Sequence, residues 1–146
     1  MFICMCGVAA SGKSTKALEL AKRYDAIIIS TDAIREELFG DPMRQDKNGE
    51  VFKTAFKRIK EGLVKNQNVI FDATNVNRAD RKNVLMRAKL FGKGYNVCYY
   101  ATTSLEEAKK RNAERDRHVP ENIIEKQFKR FTVPTTDEGW DAVYEF

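Results

Sequence analysis

The amino-acid sequence predicts an α/β fold in which five short parallel strands are flanked by helices. Three observations carry this. Apolar runs of strand length alternate with helical stretches along the whole chain, the pattern of a parallel sheet with crossover helices. The segment Gly7-Val8-Ala9-Ala10-Ser11-Gly12-Lys13-Ser14 matches G-x-x-x-x-G-K-[ST] without departure, and it stands between such a run and such a stretch. Polar residues able to do chemistry follow the ends of the apolar runs, where open parallel sheets bind their ligands.

Taken in order, Phe2–Cys6 is the first strand-like run. The loop after it carries glycines that let the backbone curl with its N–H groups turned inward. Lys13–Arg23 reads as a helix closed by the basic pair Lys22 and Arg23. Ala26–Ser30 is the second strand, followed by helices over Asp32–Phe39 and Glu50–Asn66. Asn68–Phe71 is the third strand, and Arg78–Phe91 a helix ended by Gly92 and Gly94. Tyr95–Ala101 is the fourth strand, Leu105–Glu114 and Pro120–Phe131 are helices, and Asp141–Phe146 is the last strand. This arrangement is expected to be a P-loop NTPase of nucleoside-monophosphate-kinase-like architecture. One domain over residues 1–146 is expected, with a lid around residues 111–120.

Composition excludes several classes. Of 146 residues, 42% are hydrophobic and 32% charged, values of a soluble globular protein. No apolar run approaches a membrane span. No secretory signal is visible, because cleaving the apolar start would destroy the glycine-lysine loop. Three cysteines, Cys4, Cys6 and Cys98, are odd in number and sit on strand-like runs, which points to buried thiols in a reducing cytoplasm. A zinc site is not expected with His118 as the single histidine. The net charge of +5 modestly favours an acidic partner such as nucleic acid.

The loop supplies the first set of candidate site residues. Gly7, Ala10, Ser11, Gly12, Lys13, Ser14 and Thr15 would hold the phosphates of a nucleoside triphosphate. Lys13 would reach the β- and γ-phosphates and Ser14 would ligate Mg²⁺. Asp32, after the second strand, is placed either to take or orient the proton of an acceptor hydroxyl or to cap a helix and pair with Arg35. Arg35, one turn on, could hold an acceptor phosphate with its planar guanidinium. Asp72 ends the third strand, placed to bind Mg²⁺ through water or to position Asp32. Asn75 either contacts substrate or caps the next helix. Arg78, Arg81 and Lys82 form either a phosphate-binding rim or a solvated basic face. Arg111 and Arg115, four apart, share a helix face and could stabilise charge on a transferring phosphoryl group from a mobile lid stopped by Pro120. The alternative there is a surface helix neutralised by Glu114 and Asp116. His118 reads as structural, and Trp140, Tyr144 and Phe146 as core and strand residues.

Gly7–Thr15, then Ser30-Thr31-Asp32-Ala33-Ile34-Arg35, then Asp72-Ala73-Thr74-Asn75, then Arg111-Asn112-x-x-Arg115 with Val119-Pro120, together resemble the kinase domain of phage-type polynucleotide 5′-hydroxyl kinases. The ending Val133-Pro134 through Glu138-Gly139-Trp140-Asp141 is also similar, so the resemblance spans nearly the whole chain. It implies transfer of the ATP γ-phosphate to the 5′-OH end of DNA or RNA. Lys13 and Ser14 would then serve the donor phosphates and Mg²⁺, Asp32 would act as general base, and Arg35 would clamp the acceptor's 3′-phosphate. Arg115, with Arg111, would be the lid arginines. Some members place the acidic residue one position after Asp72, where this chain has Ala73. A 3′-phosphatase activity is not expected from a chain that stops at Phe146. Two other readings stay open. One is a kinase acting on a sugar, nucleoside or antibiotic. The other is a non-enzymatic nucleotide-binding module, against which Asp32 and Arg35 argue.

Overall fold

The computed structural model describes residues 1–146. Five strands, β1 (Phe2–Cys6), β2 (Ala26–Ser30), β3 (Asn68–Asp72), β4 (Asn96–Tyr100) and β5 (Ala142–Glu145), form one sheet in the order β2-β3-β1-β4-β5. Every pairing is parallel, with Phe2 opposite both Val69 and Asn96. The helices are α1 (Lys13–Tyr24), α2 (Thr31–Phe39), α3 (Asn48–Val64), α4 (Arg78–Phe91), α5 (Leu105–Glu114) and α6 (Glu121–Arg130). This is the expected α/β P-loop kinase architecture, and each predicted element is present.

The unbroken apolar run of β1 follows from its place. It lies between β3 and β4 with helices on both faces, so all five residues are buried. One face of the sheet packs Cys4, Phe71, Val69 and Cys98 against α3 and α4. The other packs Ile3, Met5, Ile70 and Tyr99 against Ala17 and Leu20 of α1. A third small core, Val8, Val76, Ala108, Val119 and Ile124, fastens α5, α6 and their connection to the phosphate loop. No helix is long and apolar enough to cross a membrane. All three cysteines are buried and free.

The differences from the sequence-based boundaries are local. Helix α3 starts at Asn48 and stops at Val64, because Asn66 adopts a left-handed φ of 59° that turns the chain into β3. A short 3₁₀ turn, Thr136–Glu138, precedes β5. Asp32 does not cap α2. Ser30 does, its hydroxyl accepting from the Ala33 N–H. Asn75 does not cap α4 either; the cap is Asn77, accepting from the Asp80 N–H at 2.8 Å.

Candidate active site

The carboxyl ends of β1, β2 and β3 open onto one cleft of about 330 Å³. Its walls include Ala10, Ser11, Gly12, Lys13, Ser14 and Thr15 from the loop after β1. Asp32 and Arg35 enter from α2, Asp72 from the end of β3, and Arg111 and Arg115 from α5 and the residues after it. Gly7 shapes the loop from beneath. A Cβ there would lie 2.8 Å from Ser11 Oγ and 3.0 Å from Ala101 Cβ, so only glycine lets the chain pass. Gly12, at φ 93°, turns the loop into α1 in a left-handed conformation that other residues rarely adopt.

Helix α1 begins at this turn with no side-chain cap. The N–H groups of Gly12, Lys13, Ser14 and Thr15 have no protein acceptor. Helices α2, α4 and α5 are capped by Ser30, Asn77 and Ser104. An uncapped N-terminus at the base of a cleft is an anion site, from its dipole and its unpaired donors together. Ser11 Oγ is buried there without a partner, and so is Arg115 Nε.

Lys13 is buried and donates from Nζ to the Val8 carbonyl at 2.8 Å. Burial pushes its ammonium below the ordinary lysine range, opposed in part by the carboxylates of Asp72 and Asp32. Burial raises the Asp72 carboxyl above the usual range against the pull of Lys13 and of Ser14, whose hydroxyl donates to Asp72 Oδ2 at 2.8 Å. Ser14 and Asp72 are hard oxygen donors side by side. Mg²⁺ is commonly held by one or two such groups plus substrate phosphates, so the residues present fit it. No cluster of three His, Cys, Asp or Glu side chains exists that would form an all-protein cage.

Asp32 is largely exposed to the cleft, and its Oδ1 accepts from Arg35 Nη1 at 2.8 Å. Arg35 is buried, and Asn48 Oδ1 fixes its Nε and Nη2 at 3.3 and 2.9 Å. The guanidinium is thus locked beside the carboxylate. Arg111 donates to Glu107 at 3.1 Å and keeps Nη1 within 3.8 Å of where a Gly12 Cβ would stand. The connection from α5 to α6 is clasped by buried Asn112. Its amide donates to the Val119 carbonyl at 2.8 Å, and its oxygen accepts from the Val119 N–H and from Arg115 Nη2. Arg117 reaches Glu36 of α2 at 2.8 Å, bridging from this connection to the opposite side of the cleft.

Two of the sequence-derived groups lie outside the lining of this cleft, Asn75 among the residues of the groove that adjoins it. Asn75 is buried at φ 45°, and its amide donates to the Met5 carbonyl at 2.8 Å, which ties the β3–α4 loop to β1. Of the Arg78, Arg81 and Lys82 cluster, only Arg81 is turned into the protein. Arg78 is exposed and pairs with Asp137. Arg81 is 0% exposed, pairs with both oxygens of Glu138 at 2.8 and 2.9 Å, and donates to the Asn75 and Val76 carbonyls. Residues not singled out from the sequence also line the site. Gln127 of α6 accepts from the Ala9 N–H at 2.8 Å, and Phe52 of α3 borders the acceptor side. Beyond Gly12 and Arg111 a further hollow of about 670 Å³ is lined by Thr102, Thr103 and Phe146. The threonines follow the end of β4, whereas Phe52 and Gln127 carry no local signal in the sequence.

The sequence matches the AAA domain family over residues 2–134. It is 31% identical over 147 residues to the L-seryl-tRNA(Sec) kinase of Methanococcus maripaludis, covering 97% of this chain and 56% of that relative. The chain therefore spans little more than half of that protein's length. A chain of the Pnkp1/Rnl/Hen1 RNA repair complex superposes over 88% of this chain and 43% of its own, with a TM-score of 0.77 and 22% identity. A sugar kinase from Janibacter sp. HTCC2649 superposes over 99% of this chain and 84% of its own, with a TM-score of 0.71 and 18% identity. At these identities the two structures speak to the fold alone, whereas the match over most of the sequence goes further: the chain belongs to the AAA domain family.

Proposed function

We propose that this protein is an ATP- and Mg²⁺-dependent kinase that transfers the γ-phosphate to the 5′-hydroxyl end of a DNA or RNA strand. The observation that carries this reading is the Asp32–Arg35 pair at 2.8 Å, held across the cleft from the phosphate loop. A site that only binds nucleotide has no need of a carboxylate beside a locked guanidinium on the acceptor side. Asp32 accepts or orients the proton of the attacking hydroxyl. Arg35 takes the phosphate that follows the terminal sugar, bidentately and beside the same carboxylate.

On the donor side, the free N–H groups of Gly12 to Thr15 and the Lys13 ammonium hold the phosphates. Ser14 and Asp72 would hold Mg²⁺, which would supply positive charge against the donor phosphates. Arg115 and Arg111 stabilise charge that develops on the group in transit. The hollow lined by Thr102, Thr103 and Phe146 would take the nucleoside of the donor. The 31% identity to an L-seryl-tRNA(Sec) kinase supports an acceptor that belongs to a nucleic acid.

That 31% identity also favours a second reading, in which the acceptor hydroxyl is a seryl group carried by tRNA. One assay separates them. Labelled γ-phosphate from ATP is offered with Mg²⁺ to a short 5′-OH oligonucleotide, its 5′-phosphorylated twin and a seryl-tRNA. Label on the 5′-OH strand and not on its twin is the expected result. Label on the seryl-tRNA alone would replace the proposed acceptor with the second.

A further inference from the structure

A groove of about 450 Å³ continues from the acceptor side of the cleft. Arg35, Gln45, Phe52, Thr74 and Gln127 line both spaces, so the two are contiguous. Its volume falls in the range of small-ligand pockets.

Part of the groove's lining is aromatic. Phe52, Phe56 and Phe71 form a cluster with ring centroids 5.9 to 6.4 Å apart. Phe71 is fully buried in the core, and Phe56 already carries the Arg87 guanidinium 4.2 Å from its ring. Phe52 is the ring at the junction, bordering both the cleft with Asp32 and the groove beyond. The groove is also lined by the Asn83 amide, which makes no side-chain hydrogen bond within the protein, and by Asp80, Lys126 and Arg130. Arg130 has only a 4.0 Å approach to Asp80 to offset its charge.

We infer that this groove seats the base of the acceptor's 5′-terminal nucleotide on the Phe52 ring, with the strand leaving past Lys126 and Arg130. The inference rests on the polynucleotide reading above and makes it more specific. A flat apolar ring next to the reacting carboxylate matches the π-face of a base, and stacking of this kind tolerates any sequence. The amide, donor and acceptor at once, can meet the edge of any base. Lys126 and Arg130, with Asp80 as the one carboxylate in the lining, match a phosphodiester backbone.

The test uses Phe52→Leu, which keeps apolar volume for the core, and Phe52→Tyr, which keeps the ring. Acceptors are a 5′-OH oligonucleotide and the same strand with an abasic 5′-terminal sugar. Binding of thymidine 3′-phosphate is measured separately by calorimetry. With the ordinary strand, Phe52→Leu should raise the acceptor KM about tenfold, leave the KM for ATP where it is, and be rescued by Phe52→Tyr. On the abasic strand the penalty of Phe52→Leu should vanish. An abasic strand used as well as the ordinary one by the wild type would overturn the base seat and leave the kinase reading standing. If no oligonucleotide is phosphorylated, the kinase reading fails and the mononucleotide decides the seat. Binding that Phe52→Leu abolishes and Phe52→Tyr restores supports it, and no binding to the wild type overturns it.

Discussion

Two buried meetings of cation and carboxylate lie on either side of the β3–α4 loop, and they behave in opposite ways. In the first, Arg81 and Glu138 face each other through paired hydrogen bonds, with the Thr132 hydroxyl and two backbone carbonyls taking the remaining donors. Burial works against both charges there. The partner nevertheless outweighs it, and Arg81 is held above and Glu138 below its ordinary range. In the second, Lys13 and Asp72 share the floor of the cleft without forming an ion pair, and burial wins. Lys13 is pushed down and Asp72 up. The orphaned Ser11 Oγ and Arg115 Nε border the same space. The contrast teaches where the molecule is finished and where it is not. The Arg81 bracket is complete as folded and joins α4, the β3–α4 loop and the segment before β5. The cleft holds its charges at a cost that an anionic ligand and a cation would remove.

The largest effect that separates the two regions is on turnover. Asp32→Ala should lower kcat about 10²- to 10⁴-fold, with the urea midpoint of unfolding unchanged. Near-normal turnover would remove Asp32 from the chemistry. Arg81→Met should do the reverse in kind. It strands a buried carboxylate and should cost about 3–5 kcal/mol of stability by urea titration. Adding Glu138→Leu should return much of that loss, because the pair is then removed together. Lys13→Met should weaken nucleotide binding yet stabilise the empty protein by about 1 kcal/mol. A destabilised Lys13→Met would mean that the cleft is as complete as the bracket.

The smallest effect is in acid. Glu138 is depressed, so its contribution is fully present above its unfolded value near 4.5 and is lost as pH falls through the lower folded value. Wild-type stability measured by urea titration should therefore decline over that window, and Glu138→Gln should flatten the decline. Asp72 has the opposite sign. Its raised folded value makes stability fall as pH rises from 3.8 through that value.

Much of this was legible in the sequence. The phosphate loop announces itself because glycine, lysine and serine are each needed at a fixed offset, and the strand ends locate Asp32 and Asp72 without tertiary knowledge. The charged residues of α4 were less legible. Arg78, Arg81 and Lys82 look alike in composition, and only Arg81 is turned inward. A local signal existed, since Arg81, Val84, Leu85 and Ala88 fall on one buried helical stripe. Its partner Glu138 is 57 positions away, and no local pattern ties the two. Asn77 as the cap was recoverable from a helix starting at Arg78. Phe52 was not, because a phenylalanine on an amphipathic helix reads as core until the cavities on either side of it are known.

The most direct test of the central contrast is an NMR titration of the Lys13 side chain in the free protein and in the protein saturated with ATP. The free ammonium should lose its proton below the ordinary lysine value of 10.5, and ATP should move that titration upward, with proton uptake on binding in the interval between. A Lys13 that titrates at the same pH with and without ATP would show that the cleft is not waiting for an anion, and the account of its incompleteness would be wrong.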